Sequence, residues 1–388
     1  MSARVSARTF VFLMNRQRER RRIAILASVR GLLAACVLGL WLGAASAATL
    51  TDVTGHRIEL AAPAQRILID DGRFLLALSL VHPDPVSVLA AWPRDVNRIG
   101  KRTYEAYRAK FPAIDQLAKV ASSAGTLSVE QVVAARPDLA VFSLGSRPSA
   151  EETAKIEAAG IPVAVIDFFI HPLANLDPSL RLLAAATGRE AQAEAFLAFR
   201  RNRLDAIAAK VTTLDPAARP KVFLEPHAAM TGDCCNSPGR GNVGDIVTFV
   251  GGRNIGESVI PGPFGKLGLE FVLSQNPGVY IATGGSHMEG TPGLLVGPEY
   301  SEARARETLR GVVARPGFSG LAAVRDGRVH GLAHQLLNSP LDILTVEILA
   351  TWIHPELFAS LDPDATRRLV NEQFLAVPVE GPNWVDLD

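Results

Sequence analysis

The sequence predicts an α/β protein, two lobes of mainly parallel sheet joined by a single long helix. Three observations carry that expectation. Short apolar runs alternate with helical segments along most of the chain, the pattern of strand–helix–strand units. The segment 190–211, EAQAEAFLAFRRNRLDAIAAKV, contains no Gly or Pro and repeats Phe196, Phe199, Leu204, Ile207 and Val211 at helical spacing. Its length gives a rod of roughly 33 Å. Alone it fits an ordinary core helix equally well, but a repeat flanks it. SVEQVVAARPDLAVF (128–142) and GLEFVLSQNPGVYIA (268–282) each set a glutamate seven residues before a proline, Glu130 before Pro137 and Glu270 before Pro277, and then run into an apolar strand. One such unit is commonplace; two around a long helix imply related lobes.

The chain has 388 residues, 48% hydrophobic and 20% charged, with net charge +1, a globular composition long enough for two domains. Its start reads as an export signal. Arg16, Arg18, Arg20, Arg21 and Arg22 form a basic region, 31–45 is an apolar run too short to span a bilayer comfortably, and Ala45-Ser46-Ala47 fits a cleavage site. Met14 is an alternative start. A lipobox-like stretch ends at Cys36, but apolar sequence continues where a polar tether is usual, so cleavage after Ala47 and release into the periplasm are expected. Residues 1–47 carry eight arginines against Glu19; subtracting that +7 from +1 leaves the rest near −6. That charge offers nothing to nucleic acid, and no second apolar run is long enough for a span.

In order, 49–62 reads as a hairpin around Thr54-Gly55, and 67–69 as a buried strand ending in Asp70-Asp71-Gly72. A helix over 74–80 and a strand over 86–89 follow. The stretch 92–111 is a polar, aromatic loop rich in Arg and Tyr. Helix 128–135, strand 139–142, helix 151–159 and strand 163–166 complete the first lobe. Asp177-Pro178 reads as a helix start, the carboxylate capping and the proline in the first turn, with an interruption at Thr187-Gly188. The second lobe repeats the grammar: strand 221–224, helix 245–250, helix 269–275, strand 279–282, a charged helix over 299–311, a strand near 329 and a helix over 341–352. The expected divisions are 1–47 (signal), 48–178 (first lobe), 179–212 (connecting helices) and 213–388 (second lobe).

TDVTG (51–55) with Arg66-Ile67, the two glutamate–proline units, TGREAQAEA (187–195), GGRNI (251–255) and RDGRV (325–329) occur in the order and spacing of a known family. Over about residues 49–360 the chain resembles the helical-hinge (class III) periplasmic substrate-binding proteins of ABC importers for ferric siderophores, haem and cobalamin. The resemblance implies two Rossmann-like lobes with a ligand cleft between them and no catalysis. It implies a ferric siderophore as cargo, with haem or a corrinoid next, and no cofactor beyond iron inside the chelate. The partner would be an inner-membrane ABC permease with its ATPase, met by a monomer touching the membrane only through that permease. Glu130 and Glu270 fall where the family docks on permease arginines, although glutamates also simply suit helix N-termini.

In such a fold, loops at strand ends line the cleft. Candidates in those loops are Asp71, Arg73, Trp92, Arg94, Arg102, Tyr104, Arg147, His227, Arg240, His287 and His334. Guanidinium forks suit carboxylate or catecholate oxygens, and aromatic faces suit flat organic surfaces. Tyr104 and Tyr107 equally fit a packing pair. Asp70 and Asp71, as strand neighbours, point apart. Cys234 and Cys235 are the only cysteines beyond residue 47, and in an oxidising compartment they pair with each other. The resulting ring is expected at the cleft; structural thiols, or a metal site with His227, are the alternatives. Eight histidines without His-x-His or His-Glu-x-x-His spacing give no dedicated metal cage. No phosphate loop or Gly-x-Ser-x-Gly elbow is present. Two rival classes stay open: an exported metal-dependent enzyme, which needs a converging set such as His227, Asp233 and His334, and a surface interaction protein binding no small molecule.

Overall fold

The computed structural model describes residues 48–123, 125–231, 234–337 and 339–387. The expected signal sequence, its cleavage site, Met14 and Cys36 lie outside those residues, as does Asp233.

Strands β1 (Ala48–Thr51) and β2 (Arg57–Leu60) form the antiparallel hairpin expected around Thr54-Gly55. Strands β3 (Ile67–Ile69), β4 (Leu89–Trp92), β5 (Ala118–Lys119), β6 (Leu139–Ser143) and β7 (Val163–Ile166) build a parallel sheet in the order β5-β4-β3-β6-β7. Beyond the long helix come β8 (Lys221–Glu225), β9 (Asn236–Ser237), β10 (Arg253–Asn254), β11 (Gly265–Lys266), β12 (Val279–Gly284), β13 (Val329–Ala333) and β14 (Trp384–Asp386). They give a second sheet, β10-β8-β12-β13-β14, parallel except at β14, and a small antiparallel β9–β11 pair. Helices cover both faces of each main sheet, so strands such as β3, β4 and β7 are buried at every position and read as unbroken apolar runs.

The repeat is structural. Helices Val129–Ala135 and Leu269–Gln275 match in length and end in a left-handed residue, Arg136 (φ 46°) and Asn276 (φ 43°). Each feeds a central strand, β6 or β12. A base from the neighbouring strand's start then satisfies the freed carbonyls: Arg66 donates to Ala135 O and Arg136 O at 3.0 and 3.1 Å, and Lys221 Nζ to Gln275 O at 3.0 Å.

The connecting helix Glu190–Val211 buries Ala193, Phe196, Leu197, Arg200, Ile207 and Val211, and Phe199 and Leu204 pack against the same core. Arg200 ties it to its neighbours. Its guanidinium donates to Asp342 of helix Asp342–Ile353 and to Asp177 of helix Pro172–Thr187. Among the described residues no helix is long and apolar enough to cross a membrane.

Four local expectations need correction. The helix before the spine begins at Pro172, and Pro178 lies inside it. The Asp167 carboxylate accepts from the N–H groups of Phe169, Ile170 and His171 and from Asn175 Nδ2, organising the helix entry earlier than Asp177 would. The stretch 92–111 is mostly helical, as Val96–Ile99 and Lys101–Lys110. The first strand pair is completed by Leu89–Trp92 where 86–89 was expected. Finally, the C-terminus adds helix Pro363–Gln373 and edge strand β14, and 374–379 returns to the first lobe. Ala376 N–H donates to Ser79 O (3.2 Å), and Phe374 packs on Phe196 and Phe199 with ring centres 5.4 and 5.2 Å away. The expected second lobe, 213–388, therefore includes a strap laid against the first.

Candidate functional site

Parallel strands deliver their following loops to one edge of a sheet, so each lobe offers a row of strand ends. Between the two rows lies a cavity of about 630 Å³. From the first lobe, the loop after β3 supplies Arg73, the end of β6 and the loop after it supply Ser143 and Ser146, and the loop after β7 supplies Asp167, Phe168 and Phe169. From the second, His227 follows β8, His287 follows β12 and His334 follows β13. Arg98, Met230 and Phe264 are also among the lining residues.

The two lobes touch on both sides of this space. Phe169 stacks on Phe264 with ring centres 5.0 Å apart, and the Asn242 side chain and N–H donate to Phe169 O (2.6 Å) and Ile170 O (2.8 Å). Elsewhere Arg102 donates from its guanidinium to Pro298 O (2.9 Å) and from its backbone to Glu299 Oε1 (3.2 Å).

Charge in the first lobe is organised by two adjacent carboxylates that do point apart. Asp71 takes a bidentate pair from Arg73 (2.9 and 2.7 Å), a further contact from Arg98, and Ser123 Oγ at 2.8 Å. Burial alone would raise the Asp71 carboxyl, but Arg73 and then Arg98 hold it well below the usual range. Asp70 accepts only neutral donors, Ser143 N–H and the Ser143 and Ser146 hydroxyls. Burial, reinforced by the Asp71 charge, pushes it up to about 7.

The second lobe faces it with three imidazoles. His227 Nδ1 lies 2.8 Å from His287 Nε2, and the His227 and His334 rings are 3.8 Å apart at their centres. Burial lowers all three: His227 to about 4 with help from His287, His287 below its ordinary value, and His334 well below it with His227 and His287 adding. The cluster is uncharged at neutral pH.

The structure sorts the sequence candidates. Arg73, His227, His287 and His334 line the cavity, and Asp71 lies behind Arg73. Trp92 does not reach it: as the last residue of β4 it is fully buried and stacks on Tyr104, whose hydroxyl binds Asp115. Arg94 is held by Asp115 O and Leu117 O at its own lobe's surface. Arg102 serves the contact between lobes. Arg147 is exposed outside the cavity, and Arg240 is exposed with Glu257 4.0 Å away.

Cys234 and Cys235 form a disulfide. The ring does not line the cavity as expected. Cys235 is fully buried in the second lobe's core and exchanges both backbone hydrogen bonds with Leu267 (3.0 and 2.9 Å), so it anchors the segment whose next residues, Asn236 and Ser237, reach the wall. Glu225, Cys234 and Cys235 form a compact donor group, but the sulfurs are bonded to each other and Glu225 is engaged by Arg315 and Tyr280.

Sequence reasoning missed Arg98, Phe168, Phe169, Met230 and Phe264. A signal existed for the first three: Arg98 lies in the Arg-rich stretch already singled out, and Phe168-Phe169 follow a recognised strand. Phe264 had none beyond a Pro/Gly-rich turn.

A family model described as periplasmic binding protein matches residues 78–336. Among solved structures, the fold is similar to a TroA-like periplasmic binding protein, FepB, from Veillonella parvula, at 25% identity and TM-score 0.79, covering 88% of this chain and 99% of that one. It is similar to a periplasmic heme binding protein from Pseudomonas aeruginosa (20%, TM-score 0.55, covering 83% and 97%). It is also similar to Ceue of Helicobacter pylori with Ni(II) bound (17%, TM-score 0.62, covering 84% and 95%). No curated protein matches.

Proposed function

This chain belongs to the periplasmic binding protein family, and from that premise we propose that it captures an anionic ferric chelate of the siderophore type and passes it to an inner-membrane ABC permease. Members of the family bind solutes and perform no catalysis.

The observation that carries the cargo reading is the make-up of the cavity. A space of about 630 Å³ is within the range of small-molecule sites and suits an organic chelate better than a bare oxyanion. Arg73 and Arg98 offer guanidinium donors to anionic oxygens, and Phe169 and Phe264 offer apolar ring surface to an organic framework. Neutral imidazoles oppose them and are compatible with a metal-bearing cargo. Two proteins of similar fold, one described as heme binding and one with Ni(II) bound, are in keeping with a metal-bearing cargo.

Delivery rests on Glu130 and Glu270. Both are exposed in the first turn of the repeated helices, one per lobe, so a loaded protein presents one acidic tip from each lobe to a two-fold permease.

Isothermal titration with an anionic ferric catecholate and its iron-free chelator tests the cargo reading. Tight binding of the ferric form, weakened about tenfold or more in Arg98→Ala, is expected. No heat with any ferric chelate contradicts it. For delivery, the Glu130→Arg/Glu270→Arg double variant should bind as wild type and fail in uptake; unimpaired uptake refutes docking.

A further inference from the structure

A second cavity lies against the connecting helix. It measures about 490 Å³, within the range of small-molecule sites, and shares no lining residue with the cleft. Three segments enclose it: the helix Glu190–Val211, the helix Asp342–Ile353 and the chain at 358–361. Phe199, Arg203, Ala206 and Lys210 recur at intervals of three and four, so one face of the connecting helix forms a wall.

The lining is amphipathic. Phe199, Ile207, Phe358 and Leu361 supply apolar surface, and Ile207 and Phe358 are buried. Two cations lie over it. The Arg203 guanidinium is 4.6 Å from the Phe199 ring centre, and Lys210 Nζ is 5.3 Å from that of Phe358. Arg203 Nη1 donates to Glu347 Oε1 (2.7 Å) and Lys210 Nζ to Leu357 O (3.0 Å), and each head group has N–H groups beyond the one in use.

The unsatisfied group is Glu347. Its side chain is fully buried, and while Oε1 is held by Arg203, Oε2 has no hydrogen-bond partner. Burial raises this carboxyl above its ordinary value, with Thr366 and Arg203 opposing; the Thr366 hydroxyl itself donates to Asp362 O at 3.4 Å. A buried acceptor without a donor is costly, and native proteins normally pair one. A ligand ammonium supplies that donor. Two cations beside one carboxylate disfavour a bare amine and favour a molecule that carries its own negative charge next to the ammonium.

We propose that this cavity is a second ligand site, taking a zwitterion with an apolar body, of the class of an aromatic or aliphatic amino acid. Its ammonium donates to Glu347 Oε2, its carboxylate accepts from Lys210 and Arg203, and its side chain covers Phe199, Ile207 and Phe358. The bound molecule then joins the connecting helix to the helix Asp342–Ile353. The site is independent of the cargo held in the cleft.

Phenylalanine, phenethylamine and hydrocinnamate share a skeleton and differ in head group, so they separate the parts of the proposal. Followed by saturation-transfer NMR and isothermal titration, phenylalanine should occupy one site at least tenfold more tightly than either of the others. Glu347→Gln keeps a carbonyl oxygen for Arg203 and puts an amide nitrogen in place of the free acceptor; it should weaken phenylalanine at least tenfold. Ala206→Leu, which narrows the cavity without altering a charge, should weaken it similarly and serves if Glu347→Gln does not fold by circular dichroism. Arg98→Ala, in the cleft, should bind phenylalanine as wild type. Absence of binding by all three probes at millimolar concentration overturns the proposal, as does wild-type affinity in folded Glu347→Gln and Ala206→Leu. Hydrocinnamate binding as tightly as phenylalanine removes the role of Glu347 and overturns it too. Phenethylamine binding as tightly overturns the assignment of a zwitterion. Loss of phenylalanine binding in Arg98→Ala places the molecule in the cleft and overturns the second site.

Discussion

Replacing Arg200 with Met tests how the connecting helix is fixed. The Arg200 guanidinium is 3% exposed and donates to both Asp342 oxygens, at 2.8 and 2.5 Å, and to Asp177 at 2.9 Å. Met retains a similar stem, so packing changes little and the charge effect is isolated. Asp177 is 24% exposed and regains water, but Asp342 is fully buried and would lose its counter-ion with no access to solvent. Breaking such a pair from one side costs about 3–5 kcal/mol. Against a typical total stability of about 5–15 kcal/mol, that is a large fraction. Urea unfolding followed by circular dichroism should show the midpoint fall with little change in slope. Removing both charges, as Arg200→Met/Asp342→Leu, should recover most of the loss, because an apolar pair is often no worse than a buried ion pair. A single variant within about 1 kcal/mol of wild type, or a double variant as unstable as the single, refutes the reasoning.

Further expectations follow from the cleft. Asp70, raised to about 7 from 3.8, holds a proton in the folded state that the unfolded chain releases; its contribution is full below pH 3.8 and is lost as pH rises to about 7. About three pH units at 1.36 kcal/mol each bound the effect near 4 kcal/mol. Asp70→Asn should therefore gain on wild type by up to that amount between pH 4 and 8 in urea melts; parallel pH profiles contradict this. Arg102→Ala removes an exposed bond between lobes worth about 1 kcal/mol, so stopped-flow dissociation of cargo should quicken roughly fivefold with the melting temperature nearly unchanged, and an unaltered rate removes its role. Intact mass after alkylation without reductant should show no adduct at Cys234 and Cys235, and two adducts after reduction; two adducts before reduction exclude the ring.

Much of the fold was legible because it depends on local signals. Gly- and Pro-free sequence with a helical stripe gave Glu190–Val211 to the residue, and the paired glutamate–proline units gave Val129–Ala135 and Leu269–Gln275 with their strands. Pro178 misled because a proline was read as a first-turn residue, whereas Asp167 had already gathered the N–H groups that start the helix. The cleft was only partly legible. Composition pointed to the Arg-rich stretch, but whether Trp92 faces a ligand or the core turned on a three-residue shift in where the strand lies. The histidine cluster carried no spacing signature, since the sheet, not the sequence interval, brings its members together. The disulfide was readable from two adjacent cysteines; its place behind the wall depended on pairing with Leu267.

The most direct test of the account is a visible absorption spectrum, with native mass spectrometry, of the protein purified gently from the periplasm of iron-starved cells. A broad charge-transfer band and a mass adduct equal to one ferric chelate are predicted. A sharp porphyrin or corrinoid band, or colourless and adduct-free protein that also fails to take up ferric chelates on titration, would contradict it.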